Sequence, residues 1–326
     1  MAFSITRVSH VEIRVTDLDR AWEFYVGLLG LVETERDGGR IYLRGLEERQ
    51  HHSIILKQAE SPGVAHFAYR VSDPEDLDRL TEFFKAKKLP VVKLPGGSEK
   101  GQGEAIRVQD PLGFPVEFYH EMDEAERLLQ QFHLHRGVSP MRLDHVNCQT
   151  PDVQRGYDYY VGELGFWVSE YTETDDGKLW AVWMHRKQNV HDIALMTGTG
   201  PRLHHFAVWV QDMVGVIRAC DILAGAGMTD NIERGPGRHG LSNAFFVYVR
   251  DPDGNRMEIY TSDYMIPDPD WKPIRWSIND KRRQTFWGHV APRSWFDEAS
   301  LVESVTDGRL LTPIPAELKD RPDFVT

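Results

Sequence analysis

One stretch of this chain occurs twice. Ser9-His10-Val11 is matched by Asp144-His145-Val146, 135 positions on, and at the same spacing Asp17 matches Asp152 and Arg20 matches Arg155. Tyr25-Val26-Gly27 and Leu29-Gly30 match Tyr160-Val161-Gly162 and Leu164-Gly165. Farther along, His66-Phe67-Ala68 matches His205-Phe206-Ala207 at a spacing of 139. Asp110-Pro111, Glu117 and Tyr119 match Asp251-Pro252, Glu258 and Tyr260 at 141. The drift is two small insertions. A module of about 120 residues used twice excludes a solenoid of short repeats and implies two similar domains.

Each module reads alike. His10 to Val15 alternates as a strand does. Asp17 heads a helix with Leu18, Ala21, Trp22, Tyr25, Leu28 and Leu29 at helical spacing, and Gly30 stops it. Short strands are expected at Arg40 to Leu43, Ile54 to Leu56 and His66 to Val71, with a second helix from about Pro74 to Lys87. A final hairpin turns at Asp-Pro-Leu-Gly or Asp-Pro-Asp-Gly, where glycine suits a positive φ. The expected class is α+β. The boundaries are a first domain over 1–138, a second over 139–262 and a C-terminal extension over 263–326. The extension carries Trp271, Trp276, Trp287 and Trp295 and is expected to wrap or lid the second module.

Composition removes several functions. The net charge of -12 argues against nucleic acid as partner, because neutralising phosphates needs a basic surface. No run approaches the roughly 18 apolar residues of a membrane span, and the opening Met1 to Arg7 has no apolar signal core. Cys148 and Cys220 cannot make a disulfide framework and read as small buried thiols. A soluble, reduced, cytoplasmic protein is expected. Its 14 histidines stand out, since imidazole both ligates metals and carries protons near neutral pH.

Three positions recur in both modules: His10, His66, Glu117 and His145, His205, Glu258. Their wide separation excludes a finger or a helical motif and places one residue on each of three strands. Two imidazoles and one carboxylate, with positions left open, suit a divalent iron or manganese that must also bind substrate and oxygen. The repeat distinguishes neighbours: His66 aligns with His205, whereas Ala65 aligns with His204. Spacing alone leaves a second reading open, in which these are packed core histidines and a solvated glutamate inherited from a common ancestor.

Four longer stretches carry a resemblance: Arg142 to Asn147, Trp183 to Asp192, Ile232 to Gly240 and Asp251 to Tyr260. With them the chain resembles the type I extradiol ring-cleaving dioxygenases of the vicinal oxygen chelate superfamily, over nearly its whole length. The resemblance implies tandem βαβββ modules paired into two domains, the glyoxalase-like fold, with Fe(II) or Mn(II) in the second domain and O2 as co-substrate. It implies His145, His205 and Glu258 as ligands and His191 as the acid–base residue. Tyr248 would hydrogen-bond the substrate oxygen, His239 would bridge toward it, and Asn147 would line the pocket. Trp183, Arg234, Arg282 and Arg283 would line the pocket and meet a side-chain carboxylate. The implied reaction opens 3,4-dihydroxyphenylacetate to 5-carboxymethyl-2-hydroxymuconate semialdehyde, and the implied assembly is a homo-oligomer, a tetramer in the family.

The first module departs from this pattern. His52 aligns with His191, but Arg107 stands at the Tyr248 position and Glu12 at the Asn147 position, and the loop Gly97 to Gly101 lacks a match to His239. An inward Arg107 would repel a divalent cation, so the first triad is expected to be a non-catalytic relic. A metal-free ligand binder, or an isomerase or lyase of the same superfamily, is the competing reading, since fold alone does not set function. The His191, Tyr248 and His239 set favours the oxygenase, because sequestering a ligand needs no acid–base group.

Overall fold

The computed structural model describes residues 3–319 and 321–322, so the tips of the first domain and of the extension lie outside the described residues. Strand β1 (Ile5–Val15) is buried along nearly its whole length, which requires cover on both faces. The chain leaves it at Asp17, whose carboxylate accepts the Asp19 and Arg20 backbone N–H groups at 3.0 Å and so caps α1 (Leu18–Trp22). The helix expected to run to Leu29 is α-helical only to Trp22. It then widens into a π-type turn over Glu23–Leu28. The wider turn brings the consecutive Phe24 and Tyr25 into the core together. The second module repeats the device at Asp152, α3 (Val153–Tyr157) and the turn Asp158–Glu163.

The first half continues with β2 (Val32–Asp37), β3 (Arg40–Arg44), β4 (Ile54–Gln58), β5 (Gly63–Val71), α2 (Asp76–Ala86), β6 (Val91–Leu94), β7 (Ala105–Gln109) and β8 (Pro115–Tyr119). The second half holds β9 (Arg142–Thr150), β10 (Trp167–Glu173), β11 (Leu179–His185), β12 (Ile193–Thr197), β13 (Arg202–Trp209), α4 (Met213–Gly225), β14 (Ile232–Arg238), β15 (Phe245–Arg250) and β16 (Arg256–Thr261). Each half is therefore two βαβββ units, the second headed by β5 or β13. The first sheet runs β2-β3-β4-β1-β5-β8-β7-β6, and the second has the same core order, β10-β11-β12-β9-β13-β16-β15-β14. At each sheet's centre an antiparallel pair, β1 with β5 or β9 with β13, is flanked by parallel pairs. The Asp-Pro turns form as expected, with Gly113 at φ +94° and Gly254 at φ +88°.

One apolar core runs through both halves. Buried polar bonds pin them together: Val8 N–H donates to Asp192 at 2.8 Å and Tyr25 Oη donates to Asp251 at 2.9 Å. The extension adds β17 (Ile274–Ser277) beside β10, α5 (Lys281–Gln284), β18 (Trp287–Gly288) beside β14, α6 (Ser294–Asp297) and β19 (Ser300–Leu301) against β13. It then crosses to the first half, where Glu303 pairs with Arg14 and Lys57. No helix among the described residues is long and apolar enough to cross a membrane.

Gly30 shows how tightly these pieces meet. Its φ is +87°, and a Cβ there would stand 2.0 Å from the Arg136 carbonyl oxygen. Gly177 has a similar φ of +77° but open space around it. Gly177→Ala should cost only the left-handed backbone penalty, about 1–2 kcal/mol. Gly30→Ala should lower the thermal midpoint clearly further. Equal midpoints for the two variants would show that the Arg136 segment yields freely.

Candidate active site

Three adjacent strands of the second sheet deliver three donors to one point. Ala207 on β13 sits opposite His145 on β9 and opposite Glu258 on β16. His205, two residues before Ala207, faces the same side of the sheet. The small Ala207 side chain leaves the space into which the larger groups converge. His145 Nε2 and His205 Nε2 stand 3.1 and 3.2 Å from Glu258 Oε2, and one donor atom from each residue lies within 4.8 Å of the others. All three are buried.

Each donor has support behind it. His145 Nδ1 is 3.1 Å from Asp144 Oδ2, and Asp144 also accepts from Asn189. His205 Nδ1 is 2.7 Å from His204 Nδ1, and His204 Nε2 donates to the Trp295 carbonyl at 2.8 Å. Burial would raise the Glu258 carboxyl, but the two imidazoles outweigh it and hold the group well below the usual carboxylate range. Burial pushes His205 down to about 4, so it is neutral and free to ligate at pH 7. Burial would lower His145, but hydrogen bonds to Asp144 and Glu258 outweigh it and raise the group above its ordinary value, so metal would displace a proton there. An anionic oxygen, two imidazole nitrogens and oriented outer partners fit a divalent iron or manganese.

The remaining expected residues sort clearly. His191, on the loop after β11, lies against His145 with ring centres 3.8 Å apart, and burial drives it well below its ordinary value. Tyr248 on β15 lies beside His205, ring centres 5.1 Å apart. His239 Nε2 is 2.9 Å from Tyr248 Oη. His239 Nδ1 meets the Gln284 carbonyl, which can only accept, so Nδ1 carries the proton and Nε2 accepts from the tyrosine. Asn147, Trp183 and Arg283 line the same cavity. Arg234 is buried behind it, its guanidinium over the Trp295 ring at 4.5 Å.

Arg282 is a correction. Its side chain is 70% exposed and paired with Asp280, and it is not among the residues that line the cavity. Adjacent residues on the short helix α5 point in different directions, so only one of the Arg282-Arg283 pair can face inward. Trp180, Gln284 and Trp295 also line the cavity, although the sequence had not marked them as site residues. Trp295 had shown only as an aromatic of the extension.

The first module also brings its three residues together. The expected inward Arg107 is present and pairs with Glu117. Glu99, from the loop between β6 and β7, joins them. That loop corresponds to the one carrying His239 between β14 and β15, so the position that lacked a match holds a carboxylate.

Comparison with known proteins agrees with this geometry. The Glyoxalase/Bleomycin resistance protein/Dioxygenase superfamily model matches residues 7–118 and 142–259. A manganese-dependent 2,3-dihydroxybiphenyl 1,2-dioxygenase of Geobacillus genomosp. 3 is 35% identical, over 88% of this chain and 95% of that protein. A metapyrocatechase of Pseudomonas sp. (strain CF600) is 31% identical over the same shares, 88% and 95%. The crystal structure of homoprotocatechuate 2,3-dioxygenase from Arthrobacter globiformis superposes with a TM-score of 0.93 at 47% identity, covering 96% of this chain and 97% of that one. The anaerobic 3,4-dihydroxyphenylacetate complex of the Brevibacterium fuscum enzyme superposes equally well, at 0.93 and 43% identity, covering 96% and 98%. The chain belongs to the Glyoxalase/Bleomycin resistance protein/Dioxygenase superfamily and, within it, to the extradiol ring-cleaving dioxygenases.

Proposed function

We propose that this chain opens the ring of a carboxylate-bearing catechol with O2, converting 3,4-dihydroxyphenylacetate to 5-carboxymethyl-2-hydroxymuconate semialdehyde. The observation that carries the substrate is a pair of buried cations without an anion. Arg283 is 1% exposed, and its Nε and Nη2 have no hydrogen-bond partner among the described residues. Arg234 is equally buried and leaves Nε and Nη1 without one. Burial first, and then the neighbouring Arg234, lower Arg283 to about 9. A desolvated guanidinium in the cavity wall, with a second buried behind it, favours a carboxylate, which a planar fork can grip in a pair of hydrogen bonds.

His145, His205 and Glu258 would hold the metal. Bound Fe(II) or Mn(II) supplies the redox chemistry that lets a spin-paired catechol react with O2. The protein's residues would do the rest. Arg283 and Arg234 fix the ring's direction, so that one particular bond is cut. Tyr248, its own proton engaged by His239, turns an oxygen lone pair to the site and can accept the hydrogen bond of a catechol hydroxyl. Burial holds its proton on, well above the ordinary tyrosine value. His191, neutral over the donor cluster, takes a hydroxyl proton and returns it later as general acid. A sequestering protein would have no use for this relay.

In this reading residues 1–138 are non-catalytic, 139–262 carry the chemistry, and 263–326 close the site. Asp263, Arg283, Gln284 and Trp295 of the extension in the cavity wall support the last assignment. We place the enzyme in the cytoplasm as a homo-oligomer, with exposed Trp167, Phe286 and Val290 as apolar surface that other copies would cover. Light scattering tests the number of copies.

Arg283→Ala should raise KM for 3,4-dihydroxyphenylacetate about ten- to hundred-fold, the loss of roughly 1.5–3 kcal/mol of charge-assisted hydrogen bonding. KM for 4-methylcatechol, which lacks the carboxylate, should barely move. Equal rises for both substrates would make Arg283 a structural residue.

Ala207→Leu puts a branched chain into the point of convergence. Overpacking of this kind costs about 1–3 kcal/mol. The variant should keep its far-ultraviolet circular dichroism but lose its catalytic metal, by elemental analysis, together with ring cleavage. Retained metal and turnover would show that the donors do not need that space.

A further inference from the structure

The first module buries a second convergence of ligating groups that the proposed reaction does not use. His10 on β1, His66 on β5, Glu117 on β8 and Glu99 from the β6–β7 loop are each at most 2% exposed. One donor atom from each lies within 4.8 Å of all the others. His10 Nε2 stands 3.0 Å from His66 Nε2, 3.4 Å from Glu99 Oε2 and 3.5 Å from Glu117 Oε1. Donors on a tetrahedron with bonds of roughly 2.0–2.1 Å are about 3.3 Å apart.

Glu99 separates this cluster from the one in the second module. There the corresponding loop delivers His239, which turns to Tyr248. Here it delivers a carboxylate whose Oε2 has no hydrogen-bond partner among the described residues and faces His10. Arg107, in the Tyr248 position, binds the other oxygens, Glu99 Oε1 at 2.6 Å and Glu117 Oε2 at 2.5 Å, which stand 3.5 and 3.8 Å from His66 Nε2. That leaves Glu99 Oε2 and Glu117 Oε1 turned toward His10. Arg107 thus holds one oxygen of each carboxylate and orients the other, as an outer partner does. Gln102 steadies Glu117 Oε1 at 2.7 Å, and Glu12 Oε2 lies 3.2 Å from His66 Nδ1. A proton on His10 Nε2 could point along only one line at a time, to His66, Glu99 or Glu117. A cation at the centre uses all four donors.

We infer that His10, His66, Glu99 and Glu117 form a closed site for one divalent cation, Zn2+ by its donor set and number. Four protein donors leave no position for substrate, so the site is structural, whereas the three donors of the second module leave positions open. This revises the expectation that an inward Arg107 would repel a divalent cation: its charge is taken up by one oxygen each of Glu99 and Glu117.

The test counts metal on the full-length protein. Each variant is stripped with chelator, equilibrated with Zn2+ and freed of excess, and Zn per chain is measured by elemental analysis. Wild type should hold two equivalents, His205→Ala one and Glu99→Gln one. After separate loading with Fe(II) or Mn(II), Glu99→Gln should also keep ring-cleavage kcat near wild type while its thermal midpoint no longer responds to Zn2+ at the first site. One equivalent in wild type and none in His205→Ala would overturn the inference and leave Arg107 and a shared proton as what holds the cluster. The wild-type and His205→Ala counts decide the matter even if Glu99→Gln does not fold.

Discussion

A carboxylate buried between two imidazoles needs a positive charge to justify its position, and the second half of the molecule is arranged around that need. Removing such an ion from water costs several kcal/mol even after relaxation. Glu258 is held there by neighbouring strands on a rigid sheet, with Ala207 providing the opening and Asp144 and His204 fixing the two rings. A divalent cation satisfies the carboxylate and both imidazole nitrogens at once. The geometry is preorganised by main-chain pairing, so little reorganisation remains when metal and substrate arrive.

Two buried arginines carry the complementary problem. Arg234 and Arg283 bring two positive charges close together in a dry environment, stabilised by the faces of Trp295 and Trp180. In the proposed function an incoming carboxylate would relieve both charges. The wall stays in place because the extension is anchored from beneath. Glu170 accepts from the Ser242 N–H at 2.7 Å and Tyr264 Oη at 2.6 Å, and takes the indole N–H of Trp276 as well. One buried carboxylate thereby ties the extension to the loop that follows His239.

Much of this was legible in the sequence because duplication displays each device twice. The capping aspartates, the Asp-Pro turns and the strand positions of the histidines and glutamates all recur, and the structure places them as elements of matching topology. The βαβββ units came from the family resemblance and not from the repeat itself, because the two units within each half share little beyond their burial pattern. Arg282 and Arg283 could not be told apart without knowing that they lie on one helical turn. Glu99 was missed because loops of different length hide its correspondence with His239. Trp295 reaches the cavity through tertiary packing, which no local pattern records.

The two halves show one scaffold serving two electrostatic solutions. In the second, Tyr248 and His239 make a neutral relay beside an open donor set. In the first, Arg107 and Glu99 make an ionic pair beside a closed one. We propose that the open set, and not its counterpart, runs ring cleavage. Its most direct measurement is the stoichiometry of 18O2 consumption by metal-loaded protein given 3,4-dihydroxyphenylacetate, with the product analysed by mass spectrometry. One O2 should be consumed per catechol, with both labelled atoms in a yellow ring-opened semialdehyde, and His205→Ala should show no turnover. A folded, metal-loaded wild-type protein that consumed no O2 with any catechol, or a His205→Ala variant that still opened the ring, would contradict it.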